Sequence, residues 1–220
     1  MMTQSLLALL QMSDSALPVG GYSQSWGMET WVQNGTLKTS ADVEFALRAL
    51  LVNSMAPLEG ASCALAHGFA CHRNLGEFEN LNLRLTAMKL SKEPLAASIA
   101  MGERLKRLAL NAGWVNECFE GNAHHSAAFG WISARLGVDV GDAVAAYLLN
   151  TITSLVSSCV RMVPLGHTDG QRIVTRLRSE IPRLLPTCLA ASLDDLGSFA
   201  PLNEWACHEH EQLYSRLFQS

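Results

Sequence analysis

The sequence predicts an all-α fold, a single compact domain of roughly ten helices, and three observations carry that expectation. Apolar residues recur every three or four positions through most of the chain, the spacing of helices with one buried face. Gly, Pro and Asn divide the chain into helix-length pieces, several with a capping residue just upstream. No stretch shows the apolar-polar alternation of a half-buried strand. With 220 residues, 49% of them hydrophobic, the chain can bury a core without disulfides or a structural metal.

The elements follow in order. The apolar start from Ser5 to Leu10 has no Lys or Arg before Lys38, so it lacks the positive flank of a secretory signal and reads as a cytoplasmic N-terminus. From Asp14 to Ser23 the chain reads as a loop, because Pro18 fixes one backbone angle and Gly20-Gly21 permits conformations closed to other residues. Thr39 and Asp42 form a capping-box pattern for a helix with Val43, Ala46, Leu47, Leu50 and Leu51 inward. Pro57 is expected to begin the next helix, which runs to about Arg73. Gly76 then precedes a segment with Leu81, Leu85 and Met88 on one face, and Ser91 with Glu93 and Pro94 marks another helix start. That helix ends at Asn111-Ala112-Gly113, and Asn122 is placed to cap a helix over 123–136.

Asp139 or Gly141 opens a long apolar helix that ends near Pro164. Asn150, Thr151, Thr153, Ser154, Ser157 and Ser158 interrupt it, so it reads as a buried helix and not a membrane span. Thr168 to Gln171 has the spacing of a second capping box, with Ile173, Val174 and Leu177 inward beyond it. Pro182 and Pro186 break up the segment after that helix. Ser198 to Asn203 is expected to separate a mobile last helix, from about Glu204 to Phe218, from the body.

Composition and motifs exclude several function classes. A net charge of −4 offers no field for a phosphate backbone, so no nucleic acid is expected as a partner. The chain has no G-x-x-x-x-G-K-[ST], H-E-x-x-H or G-x-S-x-G, so it lacks the parts of a P-loop NTPase, zinc peptidase or serine hydrolase of the usual types. No catalytic residue is assigned. The six cysteines follow no paired framework and contain no C-x-x-C, so they are expected to be reduced and mostly buried.

Three groups of metal-ligating side chains remain. Cys63, His67 and Cys71 recur every four residues on one helix, but the first and last are about 12 Å apart, and buried thiols beside a hydrogen-bonded His are the expected reading. His124 and His125 point in different directions from a helix start and are assigned to structure. Cys207, His208 and His210 are denser, and their thiolate and imidazole chemistry suits transient nickel. The one concentration of positive charge, Arg172, Arg176, Arg178 and Arg183, reads as a solvated face.

Three stretches together resemble the UreF family of urease accessory proteins. The first is Leu6-Leu7-Ala8-Leu9-Leu10-Gln11 leading through Asp14 to Ser23 and on to Gly27-Met28-Glu29. The second, Arg161-Met162-Val163-Pro164-Leu165-Gly166-His167-Thr168-Asp169-Gly170-Gln171, is similar to the family's central pattern, with His167 where that pattern has Gln. The third is the ending, His210-Glu211 and then Tyr214-Ser215-Arg216-Leu217-Phe218-Gln219-Ser220. Tyr22 stands where Phe is common in the family.

The resemblance implies a non-catalytic, cytoplasmic scaffold in nickel insertion. Such a protein forms a homodimer, binds UreD (also called UreH), recruits the GTPase UreG and serves apo-urease through that complex. It implies no tightly bound cofactor and no membrane partner. Carried over residue by residue, partner contacts are expected at Pro18, Gly20, Gly21, Tyr22, Glu29, Arg161, Pro164, Gly166, Gln171, Tyr214, Arg216, Leu217 and Phe218. The segments 1–24 and 201–220 are then partner-binding extensions of the domain. The alternative is a nickel-binding metallochaperone or metalloenzyme that uses Cys207, His208 and His210.

Overall fold

Helix after helix follows the apolar periodicity of the chain, and the computed structural model, which describes residues 2–219, contains no strand among them. Ser220, the last residue of the terminal pattern, lies outside the described residues. The helices are α1 (Met2–Met12), α2 (Met28–Gln33), α3 (Ser40–Leu50), α4 (Ala61–Cys71), α5 (Leu75–Met88) and α6 (Lys92–Asn111). They continue with α7 (His125–Arg135), α8 (Val140–Met162), α9 (His167–Arg178), α10 (Ile181–Ala190) and α11 (Pro201–His210). They form one compact domain, in which α8 buries Val144, Leu148, Ile152, Leu155 and Cys159 against α2, α3, α4, α7, α9 and α10.

The caps at Thr39 and Asp139 form as the sequence predicts. Thr39 accepts from the Asp42 N–H while the Asp42 carboxylate accepts from the Thr39 N–H. Asp139 accepts from the N–H groups of Gly141 and Asp142.

Other boundaries differ, each for a physical reason. Pro57 does not begin a helix: a π-helical stretch, Leu51–Gly60, joins α3 to α4, so Ser40–Cys71 runs on without a break. The wider π turn carries a proline that an α turn would reject, because proline lacks the N–H and its ring crowds the carbonyl one turn back. Asn122 caps nothing; α7 starts at His125, because the His124 N–H is taken by Asn82 and its ring by Ser98 and Thr86. Thr168 lies inside α9, which starts one residue earlier behind Gly166, and Asp169 pairs with Arg172 instead of closing a box.

The terminal helix is shorter than expected over 201–220. It ends at His210, and the chain then turns back over the surface. Its link to the body is pinned, since the Phe199 N–H donates to the Asn53 carbonyl and Ser198 to Ser54.

The closest helix pairing is α4 with α7, and small residues make it possible. A Cβ on Gly130 would lie 2.1 Å from the Cys63 carbonyl oxygen, so the two backbones touch there. Two helices, Ser40–Cys71 and Val140–Met162, are apolar and long enough to cross a membrane by length and composition, yet both are packed within the domain. All six cysteines are free, and Cys63, Cys159, Cys188 and Cys207 are buried.

Candidate functional site

The polar residues that interrupt α8 hold the N-terminal loop. Ser154 donates to the Gly21 carbonyl at 3.3 Å, and Ser158 donates to the Gln24 carbonyl at 3.1 Å. The loop reaches them through Gly20, whose φ of +92° is left-handed backbone that suits glycine, followed by a single 3-10 turn, Gly21–Ser23. Tyr22, at the crest of that turn, is exposed.

Arg161, in the last turn of α8, ties this loop to the far end of the chain. One terminal nitrogen donates to the Tyr22 carbonyl at 2.8 Å and to the Ser158 hydroxyl at 3.2 Å, while Nε donates to the Ser157 carbonyl at 3.3 Å. The guanidinium carbon lies 3.8 Å from the Tyr22 ring centre and 4.4 Å from that of Phe218, both within cation–π range. The Gln219 N–H closes the junction on the Ser23 carbonyl at 2.8 Å.

A buried carboxylate anchors the tail. Glu29 of α2 is 2% exposed, and its oxygens accept from the Leu217 N–H at 2.7 Å, the Phe218 N–H at 3.1 Å and His210 Nε2 at 3.0 Å. His210 Nδ1 donates to Glu93 at 2.6 Å, and Arg216 pairs with the other oxygen of Glu93 at 2.5 Å. Two carboxylates thus share one buried imidazole, and Arg216 adds a cation at the outer edge of the cluster.

Of the thirteen partner-contact residues predicted from sequence, the fold brings Gly20, Gly21, Tyr22, Glu29, Arg161, Arg216, Leu217 and Phe218 into this junction. Gln171 joins through an adjoining cleft of about 320 Å³ that it lines with Tyr22, Arg161 and His167. Pro18, Pro164 and Gly166 are exposed, and Tyr214 projects fully into solvent without a place in the clamp. Ser154, Ser158, Glu93 and the structural use of His210 escape sequence reasoning. The one available signal was the row of hydroxyls in an otherwise apolar helix.

The possible metal ligands have other occupations. Burial pushes the Cys207 thiol up to about 12, His208 faces out beside Trp205, and both nitrogens of His210 are committed. His67 donates to the Val138 carbonyl at 2.8 Å, with the Cys71 sulfur 3.8 Å from its other nitrogen. Among the described residues no three His, Cys, Asp or Glu side chains are grouped to hold a metal ion.

The fold and this junction define an all-helical domain whose N-terminal loop and C-terminal tail are tied together at the end of α8. The UreF family model matches residues 37–178. The chain is 31% identical to the urease accessory protein UreF of Bacillus sp. (strain TB-90) over 98% of its own length and 99% of that protein's. It is 29% identical to the protein of that name from Geobacillus kaustophilus over 100% of both chains, and 28% identical to that of Actinobacillus pleuropneumoniae serotype 3 over 97% and 98%. The chain belongs to the UreF family.

Proposed function

We propose that this protein is a cytoplasmic urease accessory protein, a scaffold that assembles the machinery delivering nickel to apo-urease. It forms a homodimer, binds UreD (UreH) through the terminal segment 201–220, and recruits the GTPase UreG to the surface formed by Arg161 and the Gly20-Gly21-Tyr22 loop of the N-terminal segment 1–24. Nucleotide hydrolysis belongs to UreG, and nickel is cargo that binds here transiently if at all. The observation that carries this reading is the meeting of Tyr22, Arg161 and Phe218, which makes one continuous surface from the three stretches that resemble the family. Tyr22, exposed against the guanidinium, and Leu217, exposed next to Phe218 in the chain, add apolar area to this surface, the composition of a binding surface more than of a solvated face.

Arg161→Ala tests the reading. The variant is expected to keep its helical content but to lose UreG in pull-down and most urease activation in a reconstituted maturation assay. Unchanged UreG recovery with unchanged activation would overturn it. Deleting residues 214–220 is expected to weaken UreD capture, and full retention would count against the terminal segment as its contact. The alternative reading, nickel held by Cys207, His208 and His210, requires nickel that survives desalting in stoichiometric amount and is lost on Cys207→Ala and His210→Ala.

A further inference from the structure

Beneath the N-terminal loop lies a cleft of about 90 Å³, with Asp14, Ser15 and Tyr22 at its exposed mouth and the buried His125 and Tyr147 deeper in. A second space of about 80 Å³, walled on one side by α11, shares Trp26, Tyr147 and Thr151 with the first and is also lined by Glu59 and Lys89.

The interior between these two spaces is polar, and its groups fall short of one another. His125 is 9% exposed, and its ring packs against Phe129 and Tyr147 with no hydrogen bond to any described residue. Burial holds it down to about 4, so the imidazole is neutral and has one donor and one acceptor to satisfy. The Ser126 hydroxyl lies near both the Glu59 carboxylate and the Tyr147 phenol, yet its oxygen is sealed from solvent without a hydrogen-bond partner. Lys89 pairs with one oxygen of Glu59, and the other, Oε2, is buried with none. Three polar groups left in this way, on α7 and on the π-helical stretch, are costly unless something small reaches all of them.

We infer that these two spaces are binding sites for ordered water, and that His125, Ser126 and Glu59 are the groups that hold it. Size allows it, because a water needs about 10–15 Å³ of such space and two to four polar neighbours, so each space admits more than one. Chemistry selects it. The imidazole and the hydroxyl each offer a donor and an acceptor while Glu59 Oε2 only accepts, so the occupant must both donate and accept. An anion would meet the Glu59 carboxylate, and a cation would meet the Lys89 ammonium that already neutralises it. Thr151 and Ser154 spend their hydroxyl protons on the Tyr147 and Gly21 carbonyls and keep lone pairs for further donors. The loop that carries Tyr22 therefore rests on exchangeable solvent as well as on α8.

Ser126→Ala separates a wet site from a dry one by sign. Where water is bound, the methyl takes a partner from it and the urea midpoint falls; in a dry site the change removes an unsatisfied hydroxyl and the midpoint rises. A fall is expected. Crystals of the full-length chain, with and without xenon under pressure, give the second measurement, since xenon enters dry apolar cavities. Ordered water within hydrogen-bond distance of a His125 ring nitrogen and of Ser126 Oγ, with no xenon in either space, is the expected result. A raised midpoint, xenon in either space, or direct protein hydrogen bonds to His125 and Ser126 in place of water overturns the inference.

Discussion

Glu29 and His210 meet at 3.0 Å in the interior, 181 residues apart in sequence, and their contact holds the last turn of the chain against the first third of the molecule. Glu29 also takes the backbone N–H groups of Leu217 and Phe218, so a single carboxylate sets where the tail lies and thereby where Phe218 meets Arg161.

Replacing Glu29 by Ala leaves the buried His210 without one of its two carboxylate partners and orphans the N–H groups of Leu217 and Phe218. Loss of one partner from such a pair costs about 3–5 kcal/mol when the other stays in place. The tail should detach first, so limited proteolysis is expected to cut within residues 211–219 far faster than in wild type. Equal protection of the tail in wild type and variant would refute the clamp.

Two glycines of the paired helices α4 and α7 should respond in opposite directions to the same change. Gly130→Ala forces a methyl to 2.1 Å from the Cys63 carbonyl oxygen, and backbone cannot give way as a side-chain tip can. A loss of about 3 kcal/mol or failure to fold is expected. Gly68, in α4, has nothing within 4 Å of the added methyl, so Gly68→Ala should gain up to about 1 kcal/mol from helix propensity. Urea midpoints of the two variants give the comparison.

The buried pair of Lys89 with Glu59 makes a third case. Burial favours the neutral acid, but the Lys89 ammonium outweighs it and holds the Glu59 carboxyl down to about 2. Lys89→Met strands the carboxylate and should cost about 3–5 kcal/mol, whereas Lys89→Met with Glu59→Leu should recover much of that loss. Thermal denaturation of both variants decides it, and no recovery in the double variant would show that the pair is not the unit of cost.

Acid should weaken the fold in two stages. Burial holds His124 and His125 down to about 4, against about 6.5 in an open chain. Between those values the unfolded chain binds protons that the folded chain refuses, so stability falls as pH drops from 6.5 and this loss levels off near 4. Each site is worth a few kcal/mol over that range. Glu59, depressed to about 2, adds a further loss as pH falls from about 4.5 toward 2. Urea midpoints at pH 7, 5.5 and 4.5 follow the first stage, and His125→Asn should flatten its slope by about half.

Much of the helix content is legible in the sequence because the information is local. Thr39 with Asp42 and Asp139 before Gly141 satisfy N–H groups within three residues, so composition alone places those starts. Where local chemistry had a long-range competitor, the sequence reading missed. Proline chemistry favoured a start at Pro57, but buried neighbours keep the helix running through a π turn. Propensity would have carried the last helix to Phe218, but the carboxylates of Glu29 and Glu93 draw residues 216–218 away from it.

The candidate site divides in the same way. Gly20-Gly21-Tyr22, Arg161 and Arg216-Leu217-Phe218 stand out one by one in the sequence, through backbone demands and family resemblance. The Arg161 guanidinium's contact with a carbonyl 139 residues away, and the placing of two aromatic rings around it, depend on how α8 crosses α2 and on the buried charge that pins the tail. Sequence by itself determined an all-helical chain whose six cysteines follow no paired framework and whose ends carry the family pattern. Tertiary structure alone decided that both ends of the chain share one surface, because periodicity and caps act within a few turns while partners for a buried charge are found only when distant helices pack.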